Sequence, residues 1–215
     1  LDSFDGGDIV CFSNSLKNFS NKDCEAYRSH LVSFIFQDYH LLEELTVAEN
    51  VALSLDLAGE TYDDRVSTAL RQVGMEGYES RHPKELSGGQ QQRVAMARAI
   101  VKNPSVVLCD EPTGNLDSKS SAEIIELLRE VSKDKLVIMV THNPELSEEY
   151  STRIVKLRDG KIIGDTNPFE VDESALEAPK HKNMGKSSMS LTTSFGLSLR
   201  NLFTKKGRTL LTSFA

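Results

Sequence analysis

Residues 86–100 read LSGGQQQRVAMARAI and carry the most specific pattern in this chain. Ser87 and Gln90 form a capping box, in which each side chain satisfies a backbone N–H group at the start of an α-helix. Gly88 and Gly89 stand between them, so no Cβ covers the first turn. An uncovered helix N-terminus carries about half a positive charge and free N–H groups, which makes it a site for anions. The stretch predicts either a phosphate-binding helix or a capped surface helix without a ligand.

The remainder of this predicted helix has one apolar side. Val94, Ala97 and Ile100 follow one another at helical spacing, so we expect them to face a core. Arg93 and Arg98 are predicted to lie near water. The helix is therefore expected to pack on other elements with its N-terminus left free.

The composition is that of an ordinary globular protein in a reducing compartment. The 215 residues are 39% hydrophobic and 27% charged, which is usual for soluble domains. Cys11, Cys24 and Cys109 have no metal-ligand spacing and form no even set, so a disulfide framework is not expected. There is no apolar run of about 18 residues, the length that predicts a complete transmembrane helix.

The charge of the chain is unevenly distributed. The formal net charge is −7, yet residues 181–215 carry six basic side chains and no acidic one, which leaves residues 1–180 at −13. An acidic body with a basic end disfavours nucleic acid as a partner. It suits a domain placed beside an anionic membrane surface.

Apolar runs alternate with helical patterns along the chain, which predicts an α/β fold with a parallel sheet. Continuous apolar runs are typical of parallel strands that are covered on both faces. The predicted strands are 8–12, 31–36, 105–109 and 136–140, and a hairpin around Asp159 and Gly160 follows them. The predicted helices are 20–28, 46–58, 62–75, 86–100 and 117–132.

Polar side chains follow three of the predicted strands. Gln37 follows the strand at 31–36, Asp110 and Glu111 follow the strand at 105–109, and His142 follows the strand at 136–140. In open α/β sheets, ligands sit beyond the carboxyl ends of the strands. An Asp there can hold Mg²⁺ near a nucleotide, and a neighbouring Glu can polarise a water molecule. The alternatives are a polar loop start for Gln37, two solvated acids, and a structural histidine.

These residues together resemble the ATP-binding domain of ABC transporters, and the resemblance covers residue 1 to about residue 164. The octapeptide DEPTGNLD at 110–117 and LTVAENV at 45–51 are similar to the macrolide-exporter and lipoprotein-release branch. The resemblance implies a P-loop NTPase (RecA-like) core that is incomplete at its N-terminus, with an inserted α-helical subdomain at about 41–100. The matching pieces, in family order, are the Q-loop at Gln37, the signature at 86–90, the Walker B strand at 106–111, the D-loop at 115–117 and the switch histidine at His142.

The resemblance also implies roles for the residues after the strands. Glu111 is expected to be the general base on the attacking water, and His142 to bind the γ-phosphate and help orient that water. Asp110 is expected to hold Mg²⁺ through water. Gln37 is expected to contact Mg²⁺ and the γ-phosphate and to report to the permease.

The second half of the site is expected to come from a second copy of such a domain. In the family, two domains meet head to tail with ATP and Mg²⁺ between them. Ser87, Gly88, Gly89 and Gln90 are then expected to meet the γ-phosphate. The D-loop residue Asp117 completes the predicted nucleotide-binding set.

The family's phosphate loop, Gly-x-x-x-x-Gly-Lys-Ser/Thr, does not occur in the 215 residues. Its N–H groups cradle the phosphates, its Lys reaches the β- and γ-phosphates, and its hydroxyl binds Mg²⁺. We therefore expect the chain to be a piece of a longer protein. The piece alone is expected to bind ATP weakly at best and to be inactive.

The expected organisation has three parts. Residues 1–165 form the ATP-binding domain, residues 166–193 a linker, and residues 194–215 an amphipathic basic segment that starts the first transmembrane helix of a fused permease. The domain is expected at the cytoplasmic face of the plasma (inner) membrane, where it couples ATP hydrolysis to export or extraction of a substrate. The alternatives are a non-transport ATPase of a regulatory or cell-division complex and a degenerate module that does not hydrolyse ATP.

Overall fold

The structure is a computed structural model that describes residues 6–11 and 14–168. Helices and strands alternate along these residues. The strands are β1 (Val10–Cys11), β2 (Asn14–Ser15), β3 (Val32–Ile35), β4 (Val106–Asp110), β5 (Leu136–Val140), β6 (Val155–Arg158) and β7 (Lys161–Asp165). The α-helices are α1 (Asn21–His30), α2 (Val47–Ala58), α3 (Arg65–Gln72), α4 (Gly88–Ile100), α5 (Ser118–Val131) and α6 (Pro144–Tyr150).

The central sheet is parallel, with its three strands in the order β3-β4-β5. Val106 of β4 lies opposite Val32 of β3 on one side and opposite Leu136 of β5 on the other. Because the strands run in the same direction, their carboxyl ends meet at one edge of the sheet. The predicted α/β class is confirmed, and so is the alignment of the polar residues that follow the strands.

Helices bury one face of the sheet, and α1 covers part of the other, on which Phe34 of β3 is 39% exposed. On one face, α2, α3, α4 and α5 share a core whose side chains are almost completely buried. On the other face, α1 brings Tyr27 against Val32 and Val106. The most deeply buried apolar residues of the larger core include Ile35, Val47, Val51, Leu55, Leu70, Val94, Met96 and Ile124.

The predicted capping box at Ser87 is present, and α1 and α2 begin with the same motif. Ser20, Thr46 and Ser87 each accept a hydrogen bond from the backbone N–H three residues on, and the side chain at that position bonds back to the cap. Each such cap is worth about 1 kcal/mol. The starts of α1, α2 and α4 are therefore determined locally by the sequence.

Two helices differ from the prediction. Helix α3 is shorter than the predicted 62–75, because Asp63 (φ +38°) and Gly74 (φ +70°) have left-handed backbone conformations that a helix cannot include. Helix α6 was not predicted. It begins at an Asn143 cap, whose side chain accepts from the backbone N–H of Leu146, and Pro144 occupies its first turn.

The apolar run of β5 predicts a strand that is buried on both faces, but one face of this strand is exposed. Leu136, Ile138 and Val140 are 57%, 48% and 62% exposed, whereas Val137 and Met139 on the opposite face are partly buried. An apolar run predicts a strand that can be covered on both sides, but it does not specify what covers it. Within the described residues, β4 is the strand that pairs with β5, so its other edge is unpaired.

The predicted linker, except for residues 166–168, and the predicted basic segment at 194–215 lie outside the described residues. Within residues 6–11 and 14–168, no helix combines the length and the apolar character needed to span a membrane.

Candidate functional site

Glu111 and His142 meet at the carboxyl edge of the sheet. Oε2 of Glu111 contacts Nδ1 of His142, and the backbone N–H of Glu111 donates to the carbonyl of Val140 at 3.0 Å. Glu111 has a φ of +45°, a strained conformation for a residue with a side chain. Such strain costs on the order of 1–3 kcal/mol and is concentrated at functional sites. A carboxylate and an imidazole held together at a strand end can accept and transfer a proton.

Asp110 is the last residue of β4 and its side chain is exposed. The described residues contain no cluster of three or more His, Cys, Asp or Glu side chains arranged to hold a metal ion. Mg²⁺ is commonly held by one or two carboxylates together with substrate phosphates, and it prefers oxygen ligands. The Asp110 carboxylate and the Gln37 amide oxygen fit such a site, although they do not form it alone.

Gln37 lies against the loop that follows β4. Its Nε2 donates to Oδ1 of Asn115 at 3.0 Å. Nδ2 of Asn115 donates in turn to the carbonyl of Gln37 at 3.3 Å and to Oδ1 of Asp38 at 3.0 Å. A Cβ at Gly114 would stand 2.8 Å from Nε2 of Gln37, so a side chain there would require the Gln37 amide to shift.

The glycines at the start of α4 allow close packing of two other segments. A Cβ at Gly88 would lie 2.9 Å from the hydroxyl of Tyr39, and a Cβ at Gly89 would lie 2.9 Å from the hydroxyl of Ser120. Gln90, besides completing the cap of Ser87, donates to the hydroxyl of Tyr78 at 3.3 Å. The helix start is therefore pressed between the loop that follows β3 and the start of α5.

Asp117 is the N-cap of α5. Its carboxylate accepts from the backbone N–H groups of Lys119 and Ser120, both at 3.0 Å, and from the hydroxyl of Ser120 at 2.7 Å. The Ser120 hydrogen bonds hold the pKa of Asp117 below its usual value of 3.8. Its stabilising contribution is thus complete above that pH and is lost as the pH falls further. The predicted nucleotide-binding residue has a structural role in addition.

Sequence reasoning missed Gln92, which is completely buried in α4. Its Nε2 donates to the carbonyl of Pro112 at 2.7 Å and, more weakly, to that of Phe36 at 3.4 Å. These carbonyls belong to the residues next to Glu111 and Gln37. One amide therefore links the signature helix to both loops. The available signal was a polar residue that shares a helix face with the apolar Met96 and Ala99.

Arg98 is half-buried, so the prediction that it lies near water is corrected. Its guanidinium donates to the carbonyl of Tyr39 at 2.7 Å and to that of His40, and burial lowers its pKa. Tyr39 and His40 have φ values of +60° and +50°. The Arg98 side chain lies beside the core because the carbonyl groups of this tight turn accept its hydrogen bonds. Helix α4 thereby supports the loop after Gln37.

The structure thus brings Gln37, Asp110, Glu111 and His142 to one edge of the sheet. The fold and this edge define a protein of the α/β nucleotide-binding class. The family model described as ABC transporter matches residues 2–114. The chain belongs to the ABC transporter family.

Curated relatives resemble the chain along most of its length. The macrolide export ATP-binding/permease protein MacB of Mannheimia succiniciproducens is 38% identical over 217 residues, covering 99% of this chain and 34% of that protein. The uncharacterized ABC transporter ATP-binding protein MJ1508 of Methanocaldococcus jannaschii is 40% identical over 167 residues, covering 76% of this chain and 74% of that one. The chain spans about a third of the length of the macrolide export proteins that it matches.

Solved structures show the same fold. Two dimeric structures of the ATP-binding cassette MJ0796, one a post-hydrolysis state bound to ADP and Pi, align with a TM-score of 0.67 at 32% identity. They cover 76% of this chain and 74% of theirs. The chain is therefore an ABC ATP-binding cassette of P-loop NTPase type, homologous to the macrolide exporters, and such cassettes bind ATP.

Proposed function

We propose that this chain is the ATP-hydrolysing part of an ABC transporter that drives export or extraction of a substrate through a fused permease. The observation that carries the proposal is the strained Glu111 in contact with His142 at the sheet edge. The similarity to a macrolide export protein along 99% of the chain supports the coupling to a permease.

Glu111 is the general base in this proposal. Its carboxylate accepts the proton of the attacking water, and the neighbouring His142 side chain orients that carboxylate and contacts the γ-phosphate. Asp110 would hold Mg²⁺, and Gln37 would offer its amide oxygen to the same ion. The bound ATP and Mg²⁺ supply the phosphoryl group and neutralise the charge that develops on it.

The start of α4 serves a different ATP molecule in the proposed dimer. The free backbone N–H groups of its first turn bind the γ-phosphate of an ATP held mainly by the second domain. The phosphate loop comes from a part of the protein outside the 215 residues. The unpaired edge and exposed apolar face of β5 are suited to receive the strand of that segment.

The surface for the permease is proposed to include residues 41–51. Asn50 is completely buried there. Its Oδ1 accepts from the backbone N–H of Leu42 at 2.8 Å, and its Nδ2 donates to the carbonyls of Leu42 and Leu45 at 3.0 and 3.1 Å. One side chain therefore fixes the shape of the loop that precedes α2. In the proposed assembly, residues 166–193 link this domain to a permease that begins at 194–215, at the cytoplasmic face of the plasma (inner) membrane.

Replacement of the general base tests the proposed chemistry. In the intact protein, Glu111→Gln keeps the size of the side chain but removes the proton acceptor, and we expect ATP turnover to fall by about 100-fold or more. ATP-dependent dimerisation, measured by size-exclusion chromatography or light scattering, is expected to persist. Turnover near the rate of the unaltered protein contradicts the role of Glu111.

The reading frame around this stretch tests the proposed assembly. We expect a Gly-rich loop ending in Lys-Ser/Thr upstream, and an apolar run of about 20 residues downstream. A frame that lacks the upstream loop excludes the hydrolytic role. A frame that lacks the downstream run excludes the fused permease and leaves the ATPase assignment intact.

A further inference from the structure

We propose that Asn115 is a positioning residue that fixes which end of the Gln37 side-chain amide faces the Mg²⁺ site. The inference rests on the proposed function, because it concerns the contact between Gln37 and the metal ion. It adds a residue from the loop after β4 to that contact. The direction of each hydrogen bond in the group formed by Gln37, Asp38 and Asn115 determines this orientation.

Two groups that only accept hydrogen bonds determine the orientation of the Asn115 amide. The carboxylate of Asp38 and the main-chain carbonyl of Gln37 have no hydrogen to donate. Both lie within hydrogen-bond distance of the same end of the Asn115 side chain, at 3.0 and 3.3 Å. That end must therefore be the nitrogen, Nδ2. The reversed amide would place its oxygen against two other oxygens.

The orientation of Asn115 then determines that of Gln37. With Nδ2 turned towards Asp38, Oδ1 of Asn115 faces the Gln37 side chain, and an acceptor there requires a donor opposite it. Gln37 presents Nε2 at 3.0 Å. Its Oε1 is left pointing away from Asn115. Mg²⁺ takes oxygen ligands, so this orientation leaves free the one amide atom that can bind the ion.

Gly114 leaves the space in which the Gln37 amide contacts Asn115. A Cβ at this position would stand 2.8 Å from Nε2 and 3.0 Å from Cδ of Gln37. Any side chain at Gly114 would push the Gln37 amide out of reach of Asn115. The loop after β4 therefore both admits the Gln37 side chain and sets its direction.

Metal affinity provides the test, with no dependence on turnover. The intact protein carrying Glu111→Gln is loaded with ATP and titrated with Mn²⁺, and free Mn²⁺ is followed by electron paramagnetic resonance. We expect Asn115→Ala to weaken Mn²⁺ binding by about 3- to 10-fold, the effect of one lost orienting hydrogen bond. The affinity for ATP without metal is expected to stay the same. Unchanged Mn²⁺ affinity overturns the inference.

A double-mutant cycle separates orientation from a general structural effect. In a Gln37→Ala background there is no amide to orient, so Asn115→Ala should cause no further loss of Mn²⁺ affinity. An equal loss in both backgrounds overturns the inference. If the Glu111→Gln protein itself shows no ATP-dependent Mn²⁺ binding, the proposed function fails and the inference fails with it.

Asp38→Asn provides a second, milder variant on an exposed side chain. It keeps the shape of Asp38 and one acceptor oxygen but adds a donor, so that reversal of the Asn115 amide is opposed only by the main-chain carbonyl of Gln37. We expect a loss of Mn²⁺ affinity that is smaller than the loss in Asn115→Ala. Full retention of affinity contradicts the role given to the Asp38 carboxylate.

Discussion

The two outer flanks of the parallel sheet differ sharply in how they are covered. Around β3 and β4, helices enclose a core in which Val47, Leu55 and Val94 have no exposed surface. Beyond β5, Ile138 is 48% exposed and Val140 62% exposed. The closed flank holds the signature helix, and the open flank borders the strand that leads to His142.

The difference indicates which part of the proposed site is supported within this chain and which part needs a further segment. The start of α4 receives its support from within the chain, through Tyr39, Ser120 and the core of α2 and α3. The Glu111–His142 edge lies next to a strand whose outer face is apolar and open. Apolar faces of this kind usually mark a surface that another segment covers. We infer that the proposed site at Glu111 and His142 depends on a further segment, whereas the signature helix does not.

The largest expected stability effect lies on the closed flank. Leu55 is completely buried in α2, whereas Leu57, two residues later, is 46% exposed. Leu55→Ala removes packed methyl groups and leaves a cavity, and we expect a loss of about 2–5 kcal/mol in the free energy of unfolding. Leu57→Ala, a matched control in the same helix, is expected to cost less than about 1 kcal/mol. Urea unfolding of this domain within the intact protein measures both, and equal costs contradict the assignment of the inward face.

Substitution on the open flank tests whether β5 is covered. Ile138→Thr keeps a β-branched side chain but makes it polar. If a further segment packs on β5 in the intact protein, we expect a cost of about 1–3 kcal/mol in the free energy of unfolding, because the hydroxyl would be buried. If the face remains in water, a cost below about 0.5 kcal/mol is expected. A cost below about 0.5 kcal/mol would mean that no further segment covers β5 in the intact protein.

The residues that were predictable from the sequence are those whose signals are local. The cap at Ser87, the strand that ends at Asp110 and the polar residues after it depend on neighbours within a few positions. Gln92 and Arg98 could not be assigned, because their partners are carbonyls far away in the sequence. Nor could the open face of β5 be foreseen. Periodicity records that a side chain is apolar, but the topology decides what covers it.

The smallest expected effect concerns the cap that opens the signature helix. The Ser87 side chain accepts from the backbone N–H of Gln90 at 3.3 Å. Ser87→Ala removes this acceptor, and we expect a loss of about 1 kcal/mol in the free energy of unfolding. In the proposed dimer the same residue faces phosphate, so ATP-dependent dimerisation is also expected to weaken. Urea unfolding and light scattering measure the two effects separately.

Helix α1 supplies the matched control for this prediction. Ser20 caps α1 with the same geometry, accepting from the backbone N–H of Asp23 at 3.3 Å, but α1 packs on the face of the sheet opposite to the core that contains α4. Ser20→Ala should therefore cost about the same stability and leave dimerisation unchanged. Equal weakening of dimerisation by both variants means that loss of a cap acts through stability alone. The start of α4 would then belong to a well-capped helix that binds no phosphate, which is the alternative that the sequence of residues 86–100 leaves open.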